Sequence, residues 1–341
     1  MLSPSAPAEA IAALRDLLAS PKRCAIVTHY NPDGDAVGSS LGLLHVLRAV
    51  GHDARVLLPN TPPSFLHWLP GYTECIAFDR KGEEALSVIR NSEVLFCLDF
   101  NRTDRVGGLE QAVKDAPLRV LIDHHQDPDP LARITFSDTE ACATSQMVVD
   151  IVHALGLGEH IGANAATCLY TGIVTDSGSF RFGSTTSHTM RVAADLMDRG
   201  VRITQVHESI MDDNRESRLK LLGFTLNERM EVHPELDTAI IALSLADLKR
   251  FSFQAGDTEG FVNYGLSIRG IRLAAFFMER PDMVKVSLRS KGDLAVDRFV
   301  NEHFNGGGHR NAAGGQSKES LKDAVARFRS LLPAFIAAHP A

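Results

Sequence analysis

The stretch CAIVTHYNPDGDAVGSSLGLLHVLRAVG, residues 24–51, decides the fold. Its opening, Cys24 to His29, is a short apolar run bounded by turn residues, which predicts a strand buried on both faces. Asn31-Pro32-Asp33-Gly34 breaks the run, since proline lacks a donor and Asn, Asp and Gly favour turns. From Ala36 the apolar positions recur at helical spacing until Gly51 ends them. Strand, loop and helix in that order are the repeating piece of an α/β sheet.

Similar strand candidates follow at 53–59, 93–100, 118–125 and 132–138, separated by loops or helical patterns. Near-continuous Val/Ile/Leu runs alternating with helices predict a mostly parallel sheet covered on both faces. From 141 to about 230 the pattern is chiefly helical and ends in the charged stretch NRESRLKLLGFTLNERM, residues 214–230. The last third changes character: 238–244, 261–268, 271–279 and 284–290 read as strands joined by short turns, before a terminal helix from Lys318 to about Ala338. The expected fold is therefore α/β: an N-terminal mostly parallel sheet flanked by helices, plus a smaller α+β C-terminal domain, joined by a helical linker. The expected boundaries are 1–205 for the first domain, 206–235 for the linker and 236–341 for the second domain.

Composition narrows the functional classes. Of 341 residues, 44% are hydrophobic and 23% charged, which excludes disordered, collagen-like and coiled-coil chains. The net charge of −7 argues against a protein that coats long nucleic acid by charge alone. Five scattered cysteines without a CxxC spacing read as reduced core residues and not as a disulfide framework. No apolar run approaches the ~20 residues of a bilayer span. The charged, periodic residues 8–20 read as an amphipathic helix and not as a signal peptide, so the cytoplasm is the expected location.

Acidic and imidazole side chains gather at the carboxyl ends of the predicted strands, where open α/β sheets bind ligands. The first loop supplies His29, Asp33 and Asp35; the strand at 93–100 ends near Asp99, followed by Asn101 and Arg105; the next ends in Asp123-His124-His125; and TGIVTDSGSF, residues 171–180, adds Asp176. Carboxylates with neutral imidazoles suit Mn²⁺, Mg²⁺, Co²⁺ or Zn²⁺, and such a crowd of acids needs either raised pKa values or bound metal. Two divalent ions sharing a carboxylate are suited to cleaving phosphate esters. A second feature is GGGHRNAAGG, residues 306–315, whose glycines let backbone N–H groups approach an anion, with His309 and Arg310 embedded. The following Asn-Ala-Ala is expected to begin a helix facing that anion. Arg289 and, less so, Arg269 are further cationic candidates, and the aromatics at 261–264 read first as core.

HYNPDGDAVGS, LDF, DHH and GIVTDSGSF resemble the four motifs of the DHH phosphoesterases, and GGGHRNAAGG resembles the signature of their DHH-associated C-terminal domain. Length and spacing are most similar to the bacterial nanoRNase and pAp-phosphatase, NrnA-like branch. The resemblance implies that His29 and Asp33 bind one metal, that Asp35, His124 and Asp176 bind the other, and that Asp99 bridges both. It further implies that Asp123 orients its neighbour and that His125 and Asp99 act at the scissile phosphate. Arg289, Gly306, Gly307, Gly308 and His309 would hold the far end of the substrate. The expected cofactors are two divalent ions, Mn²⁺ foremost, with Mg²⁺ or Co²⁺ as substitutes. The expected substrates are short oligoribonucleotides, linear dinucleotides or 3′-phosphoadenosine 5′-phosphate, with neither long duplex nucleic acid nor a membrane as partner and a homodimer left open. An inorganic pyrophosphatase or exopolyphosphatase, a cyclic-dinucleotide phosphodiesterase, a RecJ-type single-strand exonuclease and a non-catalytic nucleotide-binding regulator are the alternatives.

Overall fold

The computed structural model describes residues 7–339, and the chain divides into two compact units after Asp213. In the first, six strands form one parallel sheet: β1 (Arg23–Val27), β2 (Asp53–Leu58), β3 (Ile76–Ala77), β4 (Val94–Leu98), β5 (Arg119–Asp123) and β6 (Ile134–Ser137), in the order β3-β2-β1-β4-β5-β6. The helices are α1 (Ala8–Leu17), α2 (Gly34–Ala49), α3 (Phe78–Asn91), α4 (Glu110–Asp115), α5 (Thr144–Ala154), α6 (Ala163–Asp176), α7 (Ser187–Asp198) and α8 (Ile203–His207).

The alternation of side chains along β1 sorts the core into two layers. Cys24 and Ile26 pack in a cluster with Leu41 and Leu44 of α2, Val148 of α5 and Leu169 of α6. Ala25 and Val27 pack in the other, with Ala85 and Ile89 of α3 and Val113 of α4. The strand order reverses between β1 and β4, so the crevice beyond their carboxyl ends is the ligand position that this topology creates.

Helix α2 crosses α6 at very short range. A Cβ on Gly38 would sit 2.5 Å from the Cys168 carbonyl oxygen and 2.9 Å from the Gly172 nitrogen, so only glycine permits this approach. Gly172 in turn faces the centre described below: a Cβ there would lie 2.0 Å from Ser145 Oγ and 2.8 Å from Asp35 Oδ1.

The second unit is a mixed sheet with helices. Its strands are β7 (Met230–His233), β8 (Thr238–Leu243), β9 (Leu273–Glu279), β10 (Val284–Ser290), β11 (Gly307–His309) and β12 (Ala312–Ser317), ordered β11-β12-β10-β9-β8-β7. β8 and β9 run parallel, and the other neighbours antiparallel. Helices α9 (Glu216–Phe224), α10 (Leu245–Arg250), α11 (Phe261–Leu266), α12 (Val296–Phe304) and α13 (Leu321–Ala337) complete it. Phe277, Phe304 and Phe328 interlock on one face of the sheet, while Phe261, Phe276 and Met278 cluster on the other.

Two expectations are corrected here. Residues 261–268 were expected as a strand but form α11, with Phe261, Val262 and Gly265 buried at helical spacing and Tyr264 exposed. A Cβ on Gly265 would meet those of Ala239 and Ala274 at 3.0 and 3.3 Å, so the helix lies flat on β8 and β9, a packing that overrides the β propensity of Phe, Val and Tyr. Asn311-Ala312-Ala313 begins no helix; Ala312 opens β12, which pairs with both β10 and β11. The charged stretch is helical from Glu216 to Arg229, as expected, and β7 follows from Met230 and pairs with β8.

The five cysteines are all free. Among the described residues, no helix is long and apolar enough to cross a membrane.

Candidate metal centre

The loop after β1, the residue after β4, the end of β5 and the end of α6 bring His29, Asp33, Asp35, Asp99, Asp123, His124, His125 and Asp176 together. Asp99 directly follows Leu98, and its backbone is left-handed at φ +63°. That conformation costs a non-glycine residue about 1–3 kcal/mol and is held by its N–H donating to the Ile122 carbonyl at 3.1 Å. The strained turn puts the carboxylate between two imidazoles. Oδ2 lies 3.4 Å from His29 Nε2, and Oδ1 lies 3.5 Å from His124 Nε2.

Backbone carbonyls orient both rings. His29 Nδ1–H donates to the Tyr30 carbonyl at 2.9 Å and His124 Nδ1–H to the Ala141 carbonyl at 3.1 Å, which leaves each Nε2 as the ligating atom of the neutral ring. His124 Nε2 also faces Asp176 Oδ2 at 3.6 Å and Asp35 Oδ2 at 3.9 Å. Two donor sets result, His29–Asp33–Asp99 and Asp35–His124–Asp176, each with its ligating atoms within 4.8 Å of one another. Asp99 lies beside the second set through His124. Mixed carboxylate and imidazole donors without thiolate fit Mn²⁺, Mg²⁺, Co²⁺ or Zn²⁺.

Helix starts fix two of the carboxylates. Asp33 caps α2, its Oδ1 accepting from the N–H groups of Asp35 and Ala36, both at 3.1 Å. Asp35 sits at the N-terminus of α5, where Thr144 N–H donates to Oδ2 at 2.6 Å and Ser145 N–H to Oδ1 at 2.9 Å. Thr144 Oγ1 also donates to Asp99 Oδ1 at 3.0 Å. Thr144, Ser145 and the Ala141 carbonyl were missed in the sequence; the only signal was a Thr-Ser pair at a helix start.

The charges are strongly coupled. Burial disfavours the His29 imidazolium, yet Asp33 and Asp99 raise its pKa to about 10. Burial likewise opposes the His124 cation, but Asp99 and Asp176 hold it well above its ordinary value. Asp99 is kept well below the usual carboxylate range, against burial, by His124 and His29. Burial, with Asp99 and Asp176 nearby, pushes Asp35 well up. His125 is the exception, lowered by burial despite its bond from Nδ1–H to Asp123 Oδ1 at 2.8 Å; Arg105 adds to the lowering.

Asn101 ties loops together: its Nδ2 donates to the Gln126 carbonyl at 2.6 Å, and its carbonyl accepts from Asp129 N–H at 2.9 Å. In the second unit, Gly306 precedes β11 and Gly307, Gly308 and His309 form it, in a hairpin with β12 where close backbone packing accounts for Gly306 and Gly308 but leaves the Cβ position of Gly307 open. Arg289 shares a face of β10 with Lys285 and Ser287. Arg310, embedded among the glycines, is paired with Asp293 at 2.9 Å.

Residues 23–173 match the DHH family, N-terminal domain, and residues 237–338 match the DHHA1 domain. The chain is 32% identical to the bifunctional oligoribonuclease and PAP phosphatase NrnA of Thermus thermophilus, over 86% of this chain and 83% of that one. It is 28% identical to the protein of the same description from Bacillus subtilis, over 84% and 86%. The crystal structure of an exopolyphosphatase-related protein from Bacteroides fragilis superposes with a TM-score of 0.94 at 34% identity, covering 99% of both chains.

Proposed function

The chain belongs to the DHH family, and from that premise we propose that it hydrolyses short oligoribonucleotides, linear dinucleotides and 3′-phosphoadenosine 5′-phosphate. The observation that carries the reading is the pair of donor sets around Asp99, one carboxylate oxygen beside each histidine. The likeness to relatives described as oligoribonuclease and PAP phosphatase supports the substrate class.

His29, Asp33 and Asp99 would hold one divalent ion, and Asp35, Asp99, His124 and Asp176 a second, Mn²⁺ being the first choice. When bound, such ions neutralise phosphoryl oxygens and lower the pKa of water. Asp99 holds both sets in register through its fixed backbone. Asp123 anchors His125 at Nδ1, so that Nε2 is the atom that exchanges a proton at the phosphate. Because burial lowers its pKa, His125 is neutral near pH 7 and able to accept that proton. His125 takes the proton of the water that adds to phosphorus and returns it to the leaving oxygen as that bond breaks, so a mononucleotide departs and no covalent enzyme intermediate is needed. Arg289, His309 and the glycines from 306 to 308 are the second unit's contribution, taking the substrate's remaining phosphate or terminal nucleotide. Five free thiols suit work in the cytoplasm.

The description of the Bacteroides protein favours, as a second reading, hydrolysis of inorganic polyphosphate. A turnover comparison with Mn²⁺ separates the two, using a 5′-phosphorylated RNA dinucleotide, 3′-phosphoadenosine 5′-phosphate, pyrophosphate, polyphosphate and a long single-stranded DNA. Rapid mononucleotide release with little action on the DNA is expected. Preference for the inorganic substrates would decide for the second reading.

A further inference from the structure

Tyr30 is the most exposed large hydrophobic side chain among the described residues, at 53%. Exposed aromatic rings scattered singly over a surface call for no explanation. This one is different, because its backbone is pinned on both sides in the loop that follows His29. Its carbonyl accepts the Nδ1–H of His29 at 2.9 Å, and its own N–H donates to the Arg105 carbonyl at 2.6 Å. The next residue is fixed as well: Asn31 is left-handed at φ +57°, and its N–H donates to Asn60 Oδ1 at 2.6 Å. The ring rests against Gly107, where an added Cβ would lie 3.0 Å from Tyr30 Cδ2. Gly107 itself is at φ +55°, so a side chain there would strain the backbone as well as strike the ring. The loop therefore spends several hydrogen bonds and two left-handed residues on holding a largely solvent-exposed aromatic next to a ligand histidine.

A flat ring backed on one side and open to solvent is a stacking surface for a nucleobase, and such stacking tolerates any base because each has a π-face. We infer that Tyr30 stacks on the base of the nucleotide that carries the scissile phosphate, making it a specificity residue that favours nucleotides over inorganic phosphates. The inference rests on the proposed nucleotide reading and deepens it. The ring offers no oxygen or nitrogen donor to the clusters that could hold an ion, so its loss is expected to weaken substrate binding and to spare the chemical step.

The test measures kcat and KM with Mn²⁺ for wild type, Tyr30→Ala, Tyr30→Phe and Tyr30→Trp. The substrates are an RNA dinucleotide, 3′-phosphoadenosine 5′-phosphate and the base-free pyrophosphate; inhibition by AMP and by inorganic phosphate is measured alongside. Tyr30→Ala is expected to raise KM for both nucleotides at least about fivefold, and the AMP inhibition constant in step, with kcat nearly unchanged. Pyrophosphate turnover and phosphate inhibition should stay as in wild type, and Phe or Trp should restore nucleotide KM. An equal loss on base-bearing and base-free substrates would overturn the stacking role while leaving the nucleotide reading standing. So would unchanged KM, or failure of both aromatic variants to rescue. A wild type active only on pyrophosphate would overturn both.

Discussion

Asp99 combines a left-handed backbone with a carboxylate whose two oxygens face His29 and His124. Asp99→Asn retains the size and the turn but removes the charge, so kcat/KM should fall about 1000-fold or more while the melting temperature barely moves. Near-normal turnover in that variant would eliminate the shared-carboxylate arrangement. The same residue sets a pH dependence. In the metal-free centre His29, raised to about 10, and His124, also raised, are protonated at pH 7. Ligation needs their neutral forms, so metal uptake must release protons, and affinity must climb as pH rises through neutrality towards 10. Calorimetry of Mn²⁺ binding in buffers of different ionisation enthalpy reads this directly. Binding enthalpies independent of buffer at pH 7 would contradict the charge state described for the two rings.

At the scale of elements, the α2–α6 crossing leaves no room for a methyl group at Gly38. Gly38→Ala must drive a methyl into the Cys168 carbonyl, and a loss of about 3 kcal/mol is expected by denaturant titration, with reduced metal affinity because α2 carries Asp35 and α6 carries Asp176. Wild-type stability would mean that the helices separate more easily than their packing suggests. This contact was not legible in the sequence, where Gly38 looks like one small residue in an apolar helix. What was legible followed from burial on two faces. β1, β4 and β5 are continuous apolar runs that a helix of that length would not explain, and the acids and histidines that follow them lie together in the structure. α11 was misread because Phe261, Val262 and Tyr264 favour strands intrinsically, whereas the deciding fact, Gly265 lying on Ala239 and Ala274, is non-local. The glycine-rich segment reads in sequence as backbone open to an anion; in the structure Gly306 and Gly308 are required by close approach to the hairpin's own strands. Thr144 and Ser145 escaped notice because hydrogen-bond donors from a helix start are not a motif.

For the whole molecule, the proposed short substrates are consistent with a net charge of −7, which does not favour binding a long polyanion by charge. His309→Ala should therefore raise KM for substrates with a second phosphate by about tenfold and leave kcat largely intact. A fall confined to kcat would move His309 into the chemistry. The strand order of the first sheet has a kinetic consequence. β1 and β4 are neighbours in space, yet β2, β3 and two helices of chain separate them, and the donor residues run from position 29 to position 176. A nucleus that formed both donor sets would have to close most of these loops at once, so a bound ion would be captured after the rate-limiting barrier and not before it. Mn²⁺ should then slow unfolding in stopped-flow experiments while leaving the refolding limb where it was. The cation would act as a latch on the finished protein, lengthening its lifetime without hastening its birth.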